Sequence, residues 1–253
     1  MSLSIRQTEI LDIARNEGRV VVEELAARFS VTQQTIRRDL HDLADAGLLD
    51  RVHGGATLRV GVSNIGYEER RGLFSDAKAA IGRTCARDIP DNASIILNLG
   101  TTTEAVAREL LHHQNITVVT NNMNVANILV ANPSCEVIVA GGTLRRSDGG
   151  LVGDLTADFF SQFKVDFGII GTSALDHEGD LLDYDLPEVR VSRQIIRQSR
   201  RCFLVADRSK LTRSAPVRIA SLEDLDAVYT DRPLPEGLAR RCRDWDTRVV
   251  VPG

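Results

Sequence analysis

The 253-residue sequence predicts an α/β protein in two parts, an N-terminal winged helix-turn-helix and then a mainly parallel α/β domain. Three observations carry this reading. Residues 22–57 repeat apolar side chains at helical spacing on either side of a short break, then turn through a glycine pair. From residue 76 onward, short continuously apolar runs alternate with helical patterns, as in a parallel sheet covered on both faces. Three of those runs end in small, hydroxyl or amide residues, at the strand ends where ligands of open α/β sheets bind.

The first element is a helix over residues 5–16, with Ile10, Leu11, Ile13 and Ala14 on one face and Gly18 as its stop. Residues 19–21 form a brief extended bridge. A short amphipathic helix over 22–29 buries Val22, Leu25, Ala26 and Phe29. Ser30, Val31 and Thr32 break the pattern, and Thr32 caps the next helix. That helix, 33–46, sets Ile36, Leu40 and Leu43 on one side and Gln34, Arg37, Arg38 and His41 on the other. Gly47 ends it, and residues 48–57 read as a hairpin, the wing, turning at Gly54 and Gly55.

Two helices so joined, the second with an exposed Gln/Arg face, suit a major groove. Arg bonds guanine and Gln bonds adenine in bidentate pairs that read base identity. The candidate contacts to double-stranded operator DNA are Thr32, Gln33, Gln34, Thr35, Arg37, Arg38 and His41, with Arg51 and His53 from the wing. Helical spacing by itself fits a small bundle with a solvated polar face equally well. The motifs VEEL at 22–25, SVT at 30–32, TIRRDL at 35–40 and HGGA at 53–56 resemble the N-terminal signature of the DeoR family of bacterial transcription regulators.

Composition sets limits on this reading. Hydrophobic content of 43% and charged content of 26% are those of an ordinary globular protein. A net charge of -4 argues against bulk coating of nucleic acid. Residues 1–60 hold eight Arg and no Lys against nine Asp and Glu, so DNA affinity has to come from local placement. Cys85, Cys135, Cys202 and Cys242 show no CxxC pair and read as reduced thiols. His112 and His113 read as a solvated helix end, and no metal or cofactor is expected. With no apolar leader and no run near the ~20 residues of a membrane span, a cytoplasmic protein is expected.

Residues 1–58 are thus the expected DNA-binding domain and 59–75 a linker that can hold one short helix. Residues 76–253 form the second domain, with strands at 94–99, 116–120, 135–140, 165–170 and 201–206. The intervening helices are 76–87, 103–111, 123–131, 154–163 and 187–199, with a loop at 173–185.

Gly100, Thr101, Thr102 and Thr103 join a strand end to a helix start, where free amides, hydroxyls and the positive helix end cradle phosphate. Thr101 and Glu104 also fit a T-x-x-E capping box, which needs no ligand. The next strand ends carry Asn121 and Asn122, then Gly141 and Gly142, residues that turn chemistry uses as well. Asp183 and Glu188 are candidate polyol acceptors and Lys210 a candidate phosphate or carbonyl contact; each also reads as a surface charge. No Walker loop, GxGxxG or GxSxG motif is present.

The second half resembles the DeoR-family sensor domain. A narrower likeness within the family lies in TNNMNVAN at 120–127, SQF at 161–163, DFGI at 166–169, LDYD at 182–185 and EVR at 188–190. The resemblance implies a sensor fold similar to ribose-5-phosphate isomerase and a phosphorylated polyol or sugar as effector, glycerol 3-phosphate foremost. It also implies a homo-oligomeric repressor, dimer or tetramer, that leaves DNA when the effector binds. Gly100 to Thr103 would be the phosphate loop, and Asn121, Asn122, Asp183, Glu188 and Lys210 the polyol contacts. Two other functions fit the residues. One is an isomerase-like enzyme whose Asp, Glu and Lys move protons on a phosphosugar. The other is an activator with the same domains.

Overall fold

A computed structural model describes residues 4–17, 19–46, 48–52, 54–58 and 67–253. The chain divides into two compact units, Met1–Ser63 and Asn64–Gly253.

The first unit opens with α1 (Ile5–Glu17), β1 (Arg19–Val21), α2 (Val22–Arg28) and α3 (Gln33–Asp45), and closes with β2 (Leu49–Val52) and β3 (Gly55–Leu58). Ile10, Leu25, Ile36, Leu40, Leu43 and Leu49 meet in one core, which is why the apolar period along α2 and α3 was readable. The Thr32 side chain accepts the Thr35 amide at 3.2 Å and starts α3 as expected. Strands β2 and β3 form the wing hairpin, and β1 pairs antiparallel with β3. A Cβ on Gly55 would stand 1.9 Å from the Val20 carbonyl oxygen, so only glycine lets β1 approach there. Gly18, Gly47 and His53 lie outside the described residues.

The second unit runs α4 (Tyr67–Gly72), α5 (Ser75–Arg87), β4 (Ser94–Leu97), α6 (Thr101–Glu109), β5 (Ile116–Thr120), α7 (Met123–Leu129) and β6 (Cys135–Val139). It continues through β7 (Thr143–Arg145), β8 (Gly150–Val152), α8 (Asp154–Phe160), β9 (Val165–Ile170), β10 (Ala174–Leu175) and β11 (Asp180–Asp183). The last elements are α9 (Leu186–Gln198), β12 (Ser199–Val205), β13 (Val217–Ser221), β14 (Ala227–Tyr229), α10 (Glu236–Asp244) and β15 (Arg248–Val250).

Among the described residues, seven strands form a parallel sheet in the order β15-β14-β12-β9-β4-β5-β6. Neighbours along a strand point to opposite faces: Ile95 and Leu97 pack with α5 and α6 residues such as Ile81 and Val106, whereas Ile96 packs with Val191 and Ile195 of α9. Both faces are covered, which explains the unbroken apolar runs. The chain builds outward from β4 through β5 and β6 on one side and from β9 through β12, β14 and β15 on the other. The reversal between β4 and β9 opens a crevice at their carboxyl ends, the usual ligand position in such sheets.

Two features depart from the sequence reading. The stretch after β6 is an antiparallel hairpin, β7 with β8. The expected loop at 173–185 holds β10 and β11, which pair with each other and, through β11, with β13. Strand β11 gains its order from nonlocal pairing with β13, and β10 from β11, rather than from any period of their own. No helix among the described residues is long and apolar enough to cross a membrane.

Candidate functional site

On the first unit, α3 buries Ile36, Leu40 and Leu43 and exposes Gln33, Gln34, Arg37, Arg38 and His41, with Thr32 exposed and Thr35 half-buried beside them. Arg37 donates to the Gln33 side chain at 3.1 Å, so these two polar groups are pre-positioned on one ridge. Arg51 is exposed on the wing. Asp39, which sequence spacing left unassigned, is buried and accepts from the Arg6 guanidinium at 2.5 and 3.3 Å. That pair ties α1 to the inner side of α3 and leaves its outer face to the Gln and Arg side chains.

In the second unit, a cleft lies at the carboxyl ends of β4 and β9. Leu99 to Thr103 form one wall and Gly171, Thr172 and Ser173 another, so the cleft sits on the topological reversal. Thr101, Thr102 and Thr103 begin α6, whose first amides have no intrahelical acceptor. The Thr103 hydroxyl donates to the carbonyls of Asn98 and Gly100, at 2.8 and 2.7 Å, and braces the loop from behind.

The capping-box reading of this loop is overturned. Gly100 is the cap and makes no side-chain cap bond, and Glu104 turns away. Glu104 accepts from the Tyr67 hydroxyl and from Asn124, buried at 2% exposure.

Asp183, Glu188 and Lys210 line the same cleft. Asp183 accepts from the Ser173 hydroxyl at 2.9 Å and from the Tyr184 amide at 2.6 Å, which fixes its carboxylate at the start of α9. Glu188 accepts from Arg145 at 2.7 Å. Burial pushes the Glu188 carboxyl up to about 7, with Asp183 adding to the rise and Arg145 opposing it. Burial pulls the Lys210 ammonium down to about 7; Asp207 opposes this, and Arg213, Arg70 and Lys78 add to it. Lys78 is lowered to about 8, again chiefly by burial.

The other expected effector residues have structural partners away from the cleft wall. Asn121 donates to the Leu151 carbonyl, and Asn122 caps α7 by accepting from the amides of Asn124 and Val125. Gly141 accepts from the Thr156 hydroxyl, and a Cβ on Gly142 would lie 2.1 Å from that same oxygen. Gly142 lets the chain pass close to α8, a packing need that looks the same in sequence as a ligand-binding turn, whereas a Cβ on Gly141 would meet nothing within 4 Å.

Sequence reasoning missed four lining or supporting groups. Tyr67 and Arg70 come from α4, within a segment read as linker, and both line the cleft with Asp148. Arg145 is the hub behind it, bonding Asp148 bidentately at 2.9 and 2.6 Å, Asp185 at 2.7 Å and Glu188 at 2.7 Å. The RR pair at 145–146 was the one available signal. The cleft thus brings amides and cations together with carboxylates, groups matched to a small molecule carrying a phosphate and hydroxyls.

Comparison with known proteins matches residues 6–59 to the DeoR-like helix-turn-helix domain and residues 74–232 to the DeoR C terminal sensor domain. The chain is 46% identical to a glycerol-3-phosphate regulon repressor of Escherichia coli (strain K12), over 99% of this chain and 100% of that protein. It is 44% identical to the glycerol-3-phosphate regulon repressor of Haemophilus influenzae, over 99% of this chain and 98% of that one. Among solved structures it is similar to ribose 5 phosphate isomerase A from Neisseria gonorrhoeae, with 13% identity, a TM-score of 0.39 and coverage of 54% of this chain and 53% of the other. With both units matched and near-complete overlap with these relatives, the chain belongs to the DeoR family of transcription regulators.

Proposed function

We propose that this chain is a transcriptional repressor that binds operator DNA through α3 and the wing and is released by glycerol 3-phosphate held in the sensor cleft. The observation that carries the effector half is the cleft itself. It brings the Gly100 to Thr103 loop and Lys210 together with the carboxylates of Asp183 and Glu188. The loop and Lys210 are suited to the phosphate, and the carboxylates to the two hydroxyls. The DNA half is supported by the exposed Gln33, Gln34, Arg37 and Arg38 face and by the repressors with which the chain shares its whole length.

In this reading residues 1–58 bind DNA and the second unit, with α4 of the expected 59–75 linker in its cleft wall, senses the effector. The chain is not an enzyme: its relatives are transcriptional repressors with the same DNA-binding domain. One recognition helix gives few base contacts, so the repressor acts as a homo-oligomer on repeated half-sites, in the cytoplasm and without a membrane partner. Thermal unfolding with added ligand tests the effector. Glycerol 3-phosphate at 100 times its Kd should stabilise the chain by ~2.7 kcal/mol, while glycerol at the same concentration should not. Equal stabilisation by the two would remove the phosphate from the account.

A further inference from the structure

We propose that Arg70, on α4 and N-terminal to the segment matched by the sensor family, is a phosphate ligand of the effector cleft, held in place by Tyr67. The proposal rests on the cleft reading above and extends it to a part of the chain that the sensor match leaves out. Arg70 and the Gly100 to Thr103 loop line the same cleft.

The guanidinium there is poorly satisfied. Its Nε is buried with no hydrogen-bond partner, an arrangement that folded proteins rarely keep without a use. Its acidic neighbour Asp148 lies 3.8 Å away, beyond hydrogen-bond reach, and is already gripped on both oxygens by Arg145. Arg70 is also close enough to Lys78 and Lys210 to disfavour the charge on both. Arg70 and Lys210 line the cleft with the free amides of the loop, a set of donors and positive charge that favours an anion there. A planar guanidinium can give that anion two parallel N–H donors, which an ammonium cannot.

Helix α4 is clipped where this requires. The Lys78 ammonium donates to the Arg70 carbonyl, tying α4 to α5. The Tyr67 hydroxyl donates to Glu104 of α6 at 3.0 Å and accepts from Asn124 of α7 at 3.0 Å. These contacts fix the backbone while the Arg70 side chain faces the cleft. Because residues 59–66 join α4 directly to the DNA-binding unit in sequence, a ligand that draws on Arg70 acts on the first helix after that connection.

The test is calorimetric titration of the full chain with glycerol 3-phosphate, inorganic phosphate and glycerol. Arg70→Met should bind glycerol 3-phosphate and inorganic phosphate about ten- to a hundredfold more weakly, the loss of a charged hydrogen bond. Its unliganded thermal midpoint should stay near that of the unsubstituted chain, whereas a purely structural Arg70 would lower it. Arg70→Gln keeps a donor and loses the charge, and carries the same expectation if Arg70→Met does not fold. Undiminished phosphate affinity in Arg70→Met, alongside weakened binding in Thr102→Val, would overturn the proposal and leave the cleft reading standing. If the unsubstituted chain binds neither glycerol 3-phosphate nor phosphate, the cleft reading fails and takes the proposal with it.

Discussion

The Tyr67 hydroxyl lies 3.0 Å from both carboxylate oxygens of Glu104, joining the helix before the sensor match to α6, which begins at Thr101. Glu104 is almost fully buried, so this donor cannot be replaced by bulk water. Tyr67→Phe keeps the ring and removes the donor. It should destabilise the sensor unit by ~1–3 kcal/mol, seen as a lower urea midpoint at unchanged slope. A variant with the original midpoint would mean that Asn124 and Arg108 satisfy Glu104 by themselves.

Thr102 is 5% exposed at the cleft wall, and valine matches its shape without the hydroxyl. Thr102→Val should weaken glycerol 3-phosphate binding about tenfold or more while leaving operator affinity intact. In cells the phenotype should be repression that no inducer relieves. Release from DNA at the original effector concentration would make this loop a structural helix start and nothing more.

Protonation should follow the effector. Lys210, at about 7 in the unliganded chain, is mostly neutral at pH 8, and a bound dianion favours its charged form. Binding at pH 8 should therefore take up close to one proton, with a further contribution from Lys78 at about 8. Near pH 6 both ammoniums already carry their protons, so their uptake should vanish. Affinity should accordingly fall as pH rises through 7 to 9. Calorimetry in buffers of different ionisation enthalpy measures the uptake directly, and Lys210→Met should reduce it. Uptake unchanged in that variant would place the phosphate away from Lys210.

How much of this was legible depended on whether the signal was local. Thr32, the Ile36, Leu40 and Leu43 stripe, and the apolar runs of β4, β5, β9 and β12 follow from short-range chemistry, and each was found. The strand-to-helix junction at Gly100 to Thr103 is local in the same way. Strands β10 and β11 were not found, because β11 is held by β13, more than thirty residues further on, and β10 by β11. Arg70 sits in a charged run, EERR at 68–71, that looks like a solvated linker; only folding brings it to the Gly100 loop. Gly142 was read as a binding turn, although its lack of a side chain answers to the Thr156 hydroxyl. Glycine serves close packing and ligand approach by the same property, so sequence could not separate them.

On the recognition helix, Arg38 is exposed beside the buried Ile36 and Leu40. Arg38→Ala should leave the fold intact, cost ~1–3 kcal/mol of operator binding and relax base preference at one position. A selection from randomised operators would reveal the relaxation. Retained affinity with unchanged base preference would mean that α3 meets the groove with a different face.

The central claim is that filling the sensor cleft with glycerol 3-phosphate releases the operator. Fluorescence anisotropy of a labelled fragment from the DNA upstream of its own coding sequence, titrated first with the chain and then with effector, tests it directly. An effector moves this balance only through its difference in affinity between the two states, and a swing from 99% bound to 99% free needs ~5.5 kcal/mol. The account predicts saturable binding to the fragment, loss of that binding as glycerol 3-phosphate is added, and no response to glycerol. Anisotropy that stays high at saturating glycerol 3-phosphate, with calorimetry showing the cleft occupied, would contradict it.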